Sequence, residues 1–245
     1  MSKKVLIITA DPAISTTTGW PVGFWASEVT HPYHILTQAH VAVTIASPKG
    51  GRLEMDAMSD PFHESGYSAW DEISKQYLQD KDFRALLENA PAISDLQWQD
   101  YAAIIVAGGQ APMFTFEQDA VLQKLFVDFY ESGKVTAALC HGTAILCFAR
   151  HSNGKLLAEG RQVTGFANEE EDDADAAAGT QVMPWRIEDA LHRLGAQYSK
   201  GPKWEPYVVA DANLITGQQN MSGEALARMV LEKLGIQTEK LSIDI

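Results

Sequence analysis

The sequence predicts an α/β protein, a doubly wound and mostly parallel sheet with helices on both faces. Three observations carry this. Four apolar runs of strand length, Lys4–Ala10, Val41–Ser47, Tyr101–Ala107 and Val135–Cys140, are rich in Val, Ile and Ala and do not alternate with polar residues. That is the pattern of strands buried on both faces. Segments of helical periodicity lie between them at Gly23–Ala39, Tyr77–Asn89 and Glu117–Ser132, and alternating strands and helices build a parallel sheet. Finally, 245 residues that are 46% hydrophobic and 21% charged are ordinary for a globular chain. A chain of this length can bury roughly 70–75% of its unfolded surface.

The first run follows M-S-K-K, stops at Asp11-Pro12 and is too short for a secretion signal, so it is expected as a strand. The first helix spans Gly23–Ala39. After the Val41–Ser47 strand, Pro48–Ser74 is rich in Gly, Pro, Asp and Ser. It is too long for an ordinary connection and is expected as a lid or surface insertion, 48–74. The helix at Tyr77–Asn89 leads to the third strand, which ends at Gly108-Gly109. The helix at Glu117–Ser132 leads to the fourth. There V-T-A-A-L-C-H-G-T-A-I-L, residues 135–146, reads as strand, tight turn and helix with a thiol at the turn. Arg161–Gly165 is expected as a short strand, and the acidic run Glu169–Asp173 with Asp175 as a mostly solvated loop. A proline opens the helix expected at Pro184–Leu194, and Gly195 follows it. Tyr207–Thr216 breaks at Asp211-Ala212-Asn213, a hairpin-like turn. A closing helix is expected at Ser222–Leu234 with Ser222 as N-cap.

Nineteen Lys and Arg against 32 Asp and Glu give a net charge of −13, which argues against nucleic-acid or anionic-membrane partners. No apolar stretch approaches membrane-span length. Cys140 and Cys147 make no disulfide framework, so a reducing, cytoplasmic setting is expected.

Cys140 is the candidate nucleophile. A turn between strand and helix lifts one side chain toward a pocket. The first N–H groups of a following helix favour thiolate, so Cys140 is expected to react at a pH below that of a free thiol. Cys147, two turns on among Leu146 and Phe148, is expected in the core. Gly108-Gly109 falls at the same sheet edge, where the Gly109 N–H and that of His141 are placed to hold an oxyanion. Glu28, near the start of the first helix, is either a solvated residue or a carboxyl sharing a proton with the thiol. His141 adjoins Cys140, but neighbours at a sharp turn point apart, so it is expected to reach another loop, where the acidic run supplies an orienting carboxylate. His31 and His34 with Glu28 do not read as a metal site, because Pro32 interrupts the helix between them.

Together these residues resemble the ThiJ/PfpI superfamily of cysteine-centred α/β proteins, in its heat-shock, glyoxalase III-like branch. The landmarks are G-F-W-A-S-E-V-T-H-P-Y at 23–33, A-S-P-K-G-G at 46–51, D-Y-A-A-I-I-V-A-G-G at 100–109, L-C-H-G at 139–142, V-T-G-F at 163–166 and L-I-T-G-Q-Q-N at 214–220. The resemblance implies one flavodoxin-like domain over 1–245, similar to class I glutamine amidotransferases. It implies a triad of Cys140, His141 and Glu171, with Glu170 as the alternative, and Glu28 as the thiol's proton partner. The implied activity is conversion of methylglyoxal and related 2-oxoaldehydes to lactate through a Cys140 hemithioacetal, with no cofactor and no metal. The implied partner is a small aldehyde, and a homodimer is compatible. Deglycation, stress response and holdase activity are associated with the branch. The sequence departs from it at Gln110-Ala111, where His-Gly is usual, and at Asp172–Thr180, which is richer in acid and alanine.

Two other readings compete. An oxidisable Cys140 would serve a redox sensor or chaperone. The same elbow would serve a hydrolase or hydratase of another small electrophile. A glutaminase needs a His-x-Glu pair near the C-terminus, and the seven histidines end at His192 with no such pair beyond.

Overall fold

Val5 and Ile7 of the first strand face one side of a sheet and Leu6 and Ile8 the other, and all four are completely buried. Each such burial stabilises by ~1.5–3 kcal/mol, which is why these runs lack polar alternation. The computed structural model describes residues 3–237. Its central sheet contains β1 (Lys4–Ile8), β2 (Ala42–Ala46), β3 (Ala103–Val106), β4 (Val135–Leu139), β5 (Val208–Asp211) and β6 (Leu214–Gly217). Their spatial order is β2-β1-β3-β4-β6-β5. Every neighbouring pair is parallel except β5–β6, the hairpin, whose turn places Ala212 at φ 55°. The order and the flanking helices make this a flavodoxin-like α/β fold.

One face of the sheet packs against α1 (Ala26–Gln38), α3 (Lys81–Glu88) and α8 (Gly223–Lys233), through Val29, Ile35, Phe83, Leu226 and Val230. The other packs against α5 (Ala120–Glu131) and α7 (Ile187–Arg193), through Leu122, Phe126, Phe129, Ile187 and Leu191. None of the described helices is long and apolar enough to cross a membrane.

Several elements differ from expectation for local reasons. The helix expected at Tyr77–Asn89 is two, α2 (Glu72–Gln79) and α3. Asp71 caps α2 by accepting from Ser74 N at 2.9 Å, and Asp80 ends α2 and caps α3 by accepting from Phe83 N at 2.8 Å. Asp119 likewise starts α5 at Ala120, three residues later than expected, and a one-turn helix α4 (Pro112–Thr115) precedes it. Pro32 does not interrupt α1; the helix runs through it, with the start of α8 packed on the ring (a Cβ built on Gly223 would lie 3.3 Å from Pro32 Cδ). His31 bonds Asp71 at 2.9 Å and His34 bonds the Tyr77 hydroxyl at 3.1 Å.

Helix α7 begins only at Ile187, because Arg186 is extended and Trp185 packs edge-on against Phe148. Ser222 holds the N-cap position of α8, but its hydroxyl accepts from Tyr207 N at 3.2 Å and does not cap. The short strand near 161–165 is Gln162–Val163, paired in parallel with Gln197–Tyr198. The acidic run is no solvated loop. It forms α6 (Asn168–Ala178), with glutamates in its first turn complementing the helix dipole and Gly179 ending it at φ 69°. Within it Glu170 and Glu171 are buried.

The segment 48–74 folds back onto the start of α1. Phe24 N donates to Glu54 O at 3.0 Å and Asp56 N to Phe24 O at 2.9 Å. From this anchor the chain carries Tyr67 to the C-terminal edge of the sheet, edge-on to Trp25 with ring centroids 6.0 Å apart.

Candidate active site

Strand β4 delivers Cys140 to the carboxyl edge of the sheet, where open α/β folds bind ligands. The backbone turns there with Cys140 at φ 54°, a left-handed conformation that costs a non-glycine residue about 1–3 kcal/mol. Gly142 permits it: a Cβ at that position would lie 2.6 Å from Val106 O of the neighbouring strand. The following segment, Cys140–Cys147, is a run of 3-10 turns and not the expected α-helix. Cys140 is only 3% exposed and lies at the floor of a cavity of about 90 Å³. Sites for drug-sized ligands run to ~300–1,000 Å³, so only a few-atom molecule fits. Trp25, Tyr67, Phe166, Met183 and Trp204 line it, and the described lining residues include no Lys or Arg.

The left-handed turn brings His141 back beside the sulfur, contrary to the expectation that adjacent side chains point apart. Nδ1 lies 3.5 Å from Cys140 Sγ, and Nε2 lies 2.9 Å from Glu171 Oε1. Phe166 stacks on the imidazole at 4.2 Å between centroids. An ionised Glu171 takes its hydrogen bond from Nε2–H, which leaves Nδ1 as the acceptor facing sulfur. Glu170, the alternative, points elsewhere. It accepts from Trp204 N at 2.9 Å, from Gln218 Nε2 at 2.9 Å and from Ala167 N at 3.1 Å. It therefore holds Trp204, itself at φ 63°, against the cavity.

Glu28 is fully buried and is no solvated surface residue. Its Oε2 accepts from Gly108 N at 2.6 Å, and the carboxyl contacts the Cys140 thiol. Glycine is required at 108 and 109 for space. A Cβ on Gly108 would come within 2.8 Å of Glu28 Oε2, and one on Gly109 (φ 98°) within 2.5 Å of the Phe24–Trp25 peptide. The backbone N–H groups of Gly109 and His141 both point at the sulfur.

The electrostatics correct one expectation. Burial pushes the Cys140 thiol well above its ordinary range, and the Glu28 carboxylate pushes it further; the two backbone N–H groups oppose this but do not overcome it. An activated, low-pKa thiolate is therefore not the resting state. Burial also pushes Glu28 up to about 8, against hydrogen bonds from the thiol and Gly108 N–H. At neutral pH carboxyl and thiol both keep their protons. Burial alone would lower His141, yet the charge and hydrogen bond of Glu171 raise it above its ordinary value. The imidazole, with Nδ1 3.5 Å from Sγ, is the base that faces the sulfur.

Sequence reasoning missed Asp56, Trp25, Tyr67 and Trp204. Asp56 is completely buried, accepts from Gly23 N at 2.9 Å and from Gln110 N at 2.6 Å, and burial pushes it up to about 7. Its only sequence signal is an acid inside a long insertion. Gln110, at the departure from the branch pattern, lines the cavity with its Oε1 unpaired. Cys147 is half-buried, not fully in the core.

A sequence profile of the DJ-1/PfpI family matches residues 21–233. The chain is 28% identical over 240 residues to the probable glutathione-independent glyoxalase hsp3103 of Schizosaccharomyces pombe, covering 88% of this chain and 92% of that one. It is 26% identical to the glutathione-independent glyoxalase HSP31 of Saccharomyces cerevisiae, covering 95% of this chain and 98% of that one. The crystal structure of the rapid encystment protein REP24 of Francisella tularensis superposes with a TM-score of 0.85 at 31% identity, covering 95% of this chain and 99% of that one.

Proposed function

This chain belongs to the DJ-1/PfpI family, and on that premise we propose that it is a glutathione-independent glyoxalase converting methylglyoxal and related 2-oxoaldehydes to 2-hydroxy acids. One observation carries the reading: a sulfur, an imidazole and a carboxylate stand in line at the floor of a few-atom cavity, with two backbone N–H groups aimed at the sulfur. A cavity without Lys or Arg suits a neutral dicarbonyl better than a carboxylate.

As Sγ adds to the aldehyde carbon, His141 Nδ1 takes the thiol proton. The protonated Glu28 carboxyl faces the sulfur as a hydrogen-bond donor, so its charge does not oppose the developing thiolate. The hemithioacetal oxygen is held by the Gly109 and His141 N–H groups. His141, having passed its proton to that oxygen, removes hydrogen from the former aldehyde carbon. The electron pair forms an enediolate; return of that proton to the neighbouring carbon, with the hydroxyl proton on the former aldehyde carbon passing to the former ketone oxygen, gives a lactoyl thioester on Cys140. Water displaces sulfur, releasing lactate and the thiol, so methylglyoxal plus water is lactic acid overall.

The test is proton NMR of purified protein with methylglyoxal in D₂O, without glutathione. Lactate carrying deuterium at C2 is expected, because the proton on His141 exchanges with solvent. No lactate from the wild type, or equal lactate from Cys140→Ala, overturns the proposal. Lactate formed by His141→Ala at the wild-type rate would remove His141 from the transfer step.

A further inference from the structure

The Gly108–Gln110 loop and the Gly23–Trp25 entry to α1 carry different parts of the site. The first supplies the Gly109 N–H; the second leads to Glu28. Both are held by one side chain that touches neither sulfur nor cavity. Asp56 Oδ1 accepts from Gly23 N at 2.9 Å, and Oδ2 accepts from Gln110 N at 2.6 Å. Two further backbone bonds tie this loop and the residue after it to the same entry, Trp25 N to Gly108 O at 3.3 Å and Ala111 N to Gly23 O at 3.1 Å. Asp56 is itself fixed: its N–H donates to Phe24 O at 2.9 Å, and its carbonyl accepts the Ser59 hydroxyl at 2.7 Å.

We propose that Asp56 is a positioning residue, a buried carboxylate clamp from the 48–74 insertion that sets the Gly109 N–H against the reacting oxygen and holds it in register with Glu28. The chemistry of the clamp is specific. A carboxylate accepts at both oxygens, whereas a carboxamide of the same shape accepts at one and opposes an N–H with its own NH₂. Misplacing an oxyanion donor costs turnover and leaves ground-state binding nearly intact, because the oxyanion exists only after attack.

Asp56→Asn is therefore expected to lower kcat by ~10²-fold per active site while KM stays within about 3-fold. Active sites are counted by alkylating Cys140. Asp56→Glu, which keeps both acceptor oxygens on a longer stem, should fall between wild type and Asp56→Asn. A purely structural Asp56 would lower the melting temperature and the number of titratable sites but leave kcat per site unchanged, and that result overturns the inference. Should Asp56→Asn fail to fold, Asp56→Glu decides: wild-type kcat per site overturns the clamp, and a fall of ~10-fold or more at unchanged KM supports it.

The turnover readout rests on the glyoxalase reading; a second readout does not. The Gly109 N–H also stabilises the Cys140 thiolate, so Asp56→Asn should slow alkylation of Cys140 by iodoacetamide at a fixed pH above the value of about 7 to which burial pushes Asp56. Loss of a nearby negative charge alone would speed it. Faster alkylation overturns the clamp. If the wild type makes no lactate while Asp56→Asn still slows alkylation, the glyoxalase reading falls and the clamp stands.

Discussion

The two cysteines open and close the same eight-residue 3-10 run, and they share almost nothing else. Both thiols are raised chiefly by burial, Cys147 up to about 12 and Cys140 well above its usual range. Cys147 is less buried than Cys140, but the direction of the shift is the same, and it is their company that sets them apart. Cys140 sits on a left-handed residue with a carboxyl on one side, an imidazole at 3.5 Å on the other and two N–H groups aimed at it. Cys147 lines a separate cavity with Glu117, Phe148, Trp185 and Arg193, where only the Arg193 charge opposes its burial and no imidazole is hydrogen-bonded to it. A thiol at this level of burial is inert unless a base removes its proton during attack, and only one of the two has that base.

The most severe way to break this contrast is to delete each thiol in turn. Cys140→Ala should lower kcat/KM for methylglyoxal by ~10³-fold or more, while Cys147→Ala stays within about 2-fold. Equal losses would remove the distinction. Next comes the base. Glu171→Gln leaves the shape intact but no longer fixes the tautomer or the charge of His141, and kcat should fall by ~10²–10⁴-fold. Its neighbour Glu170 holds the Trp204 wall, so Glu170→Gln should act mainly on KM, by a few-fold. Steady-state kinetics on the pair of variants checks both.

A smaller effect sharpens the role of Glu28. Its carboxylate raises Cys140, so Glu28→Gln should move the pH midpoint of Cys140 alkylation downward even as turnover falls. An upward shift would contradict the assigned sign. The same group gives a stability prediction. Glu28 titrates at 4.5 when unperturbed and at about 8 when folded. Its contribution therefore favours folding fully below the lower value and is lost as pH rises through the upper one. Glu28→Gln has no such loss, so its melting temperature should gain on the wild type between pH 5 and 9. Least of all, Cys147→Ala should cost about 1 kcal/mol in denaturant unfolding, from packing alone.

Much of the fold was legible because buried parallel strands leave no polar alternation to misread. β1 to β4 lie within the expected runs, and the β5–β6 hairpin exceeds its run, Tyr207–Thr216, only at Gly217. Helix boundaries were not, since Asp71, Asp80 and Asp119 each cap through a side chain, and periodicity alone cannot register a cap. The acidic run misled for a related reason. Charge density suggests solvent, yet Glu170 and Glu171 are buried because each has a specific partner to receive. The grouping of Cys140, His141, Glu28 and Gly109 followed from sheet-edge logic, which places residues after neighbouring parallel strands together. Asp56 and Tyr67 escaped it. They reach the edge through a long insertion whose path no local pattern encodes. The ionisation of Cys140 was misjudged because it depends on burial depth and on the Glu28 charge, neither of which a motif displays.

Glu170 and Glu171 occupy successive positions on α6, one gripping the aromatic wall and the other the imidazole. The helix is thus a common axle. Any turn or slide that widened the mouth to admit a bulkier guest would also drag the carboxylate away from His141. In the proposed reaction substrate size and proton transfer are geared together, and broadening one without stalling the other would require changes that leave α6 where it is.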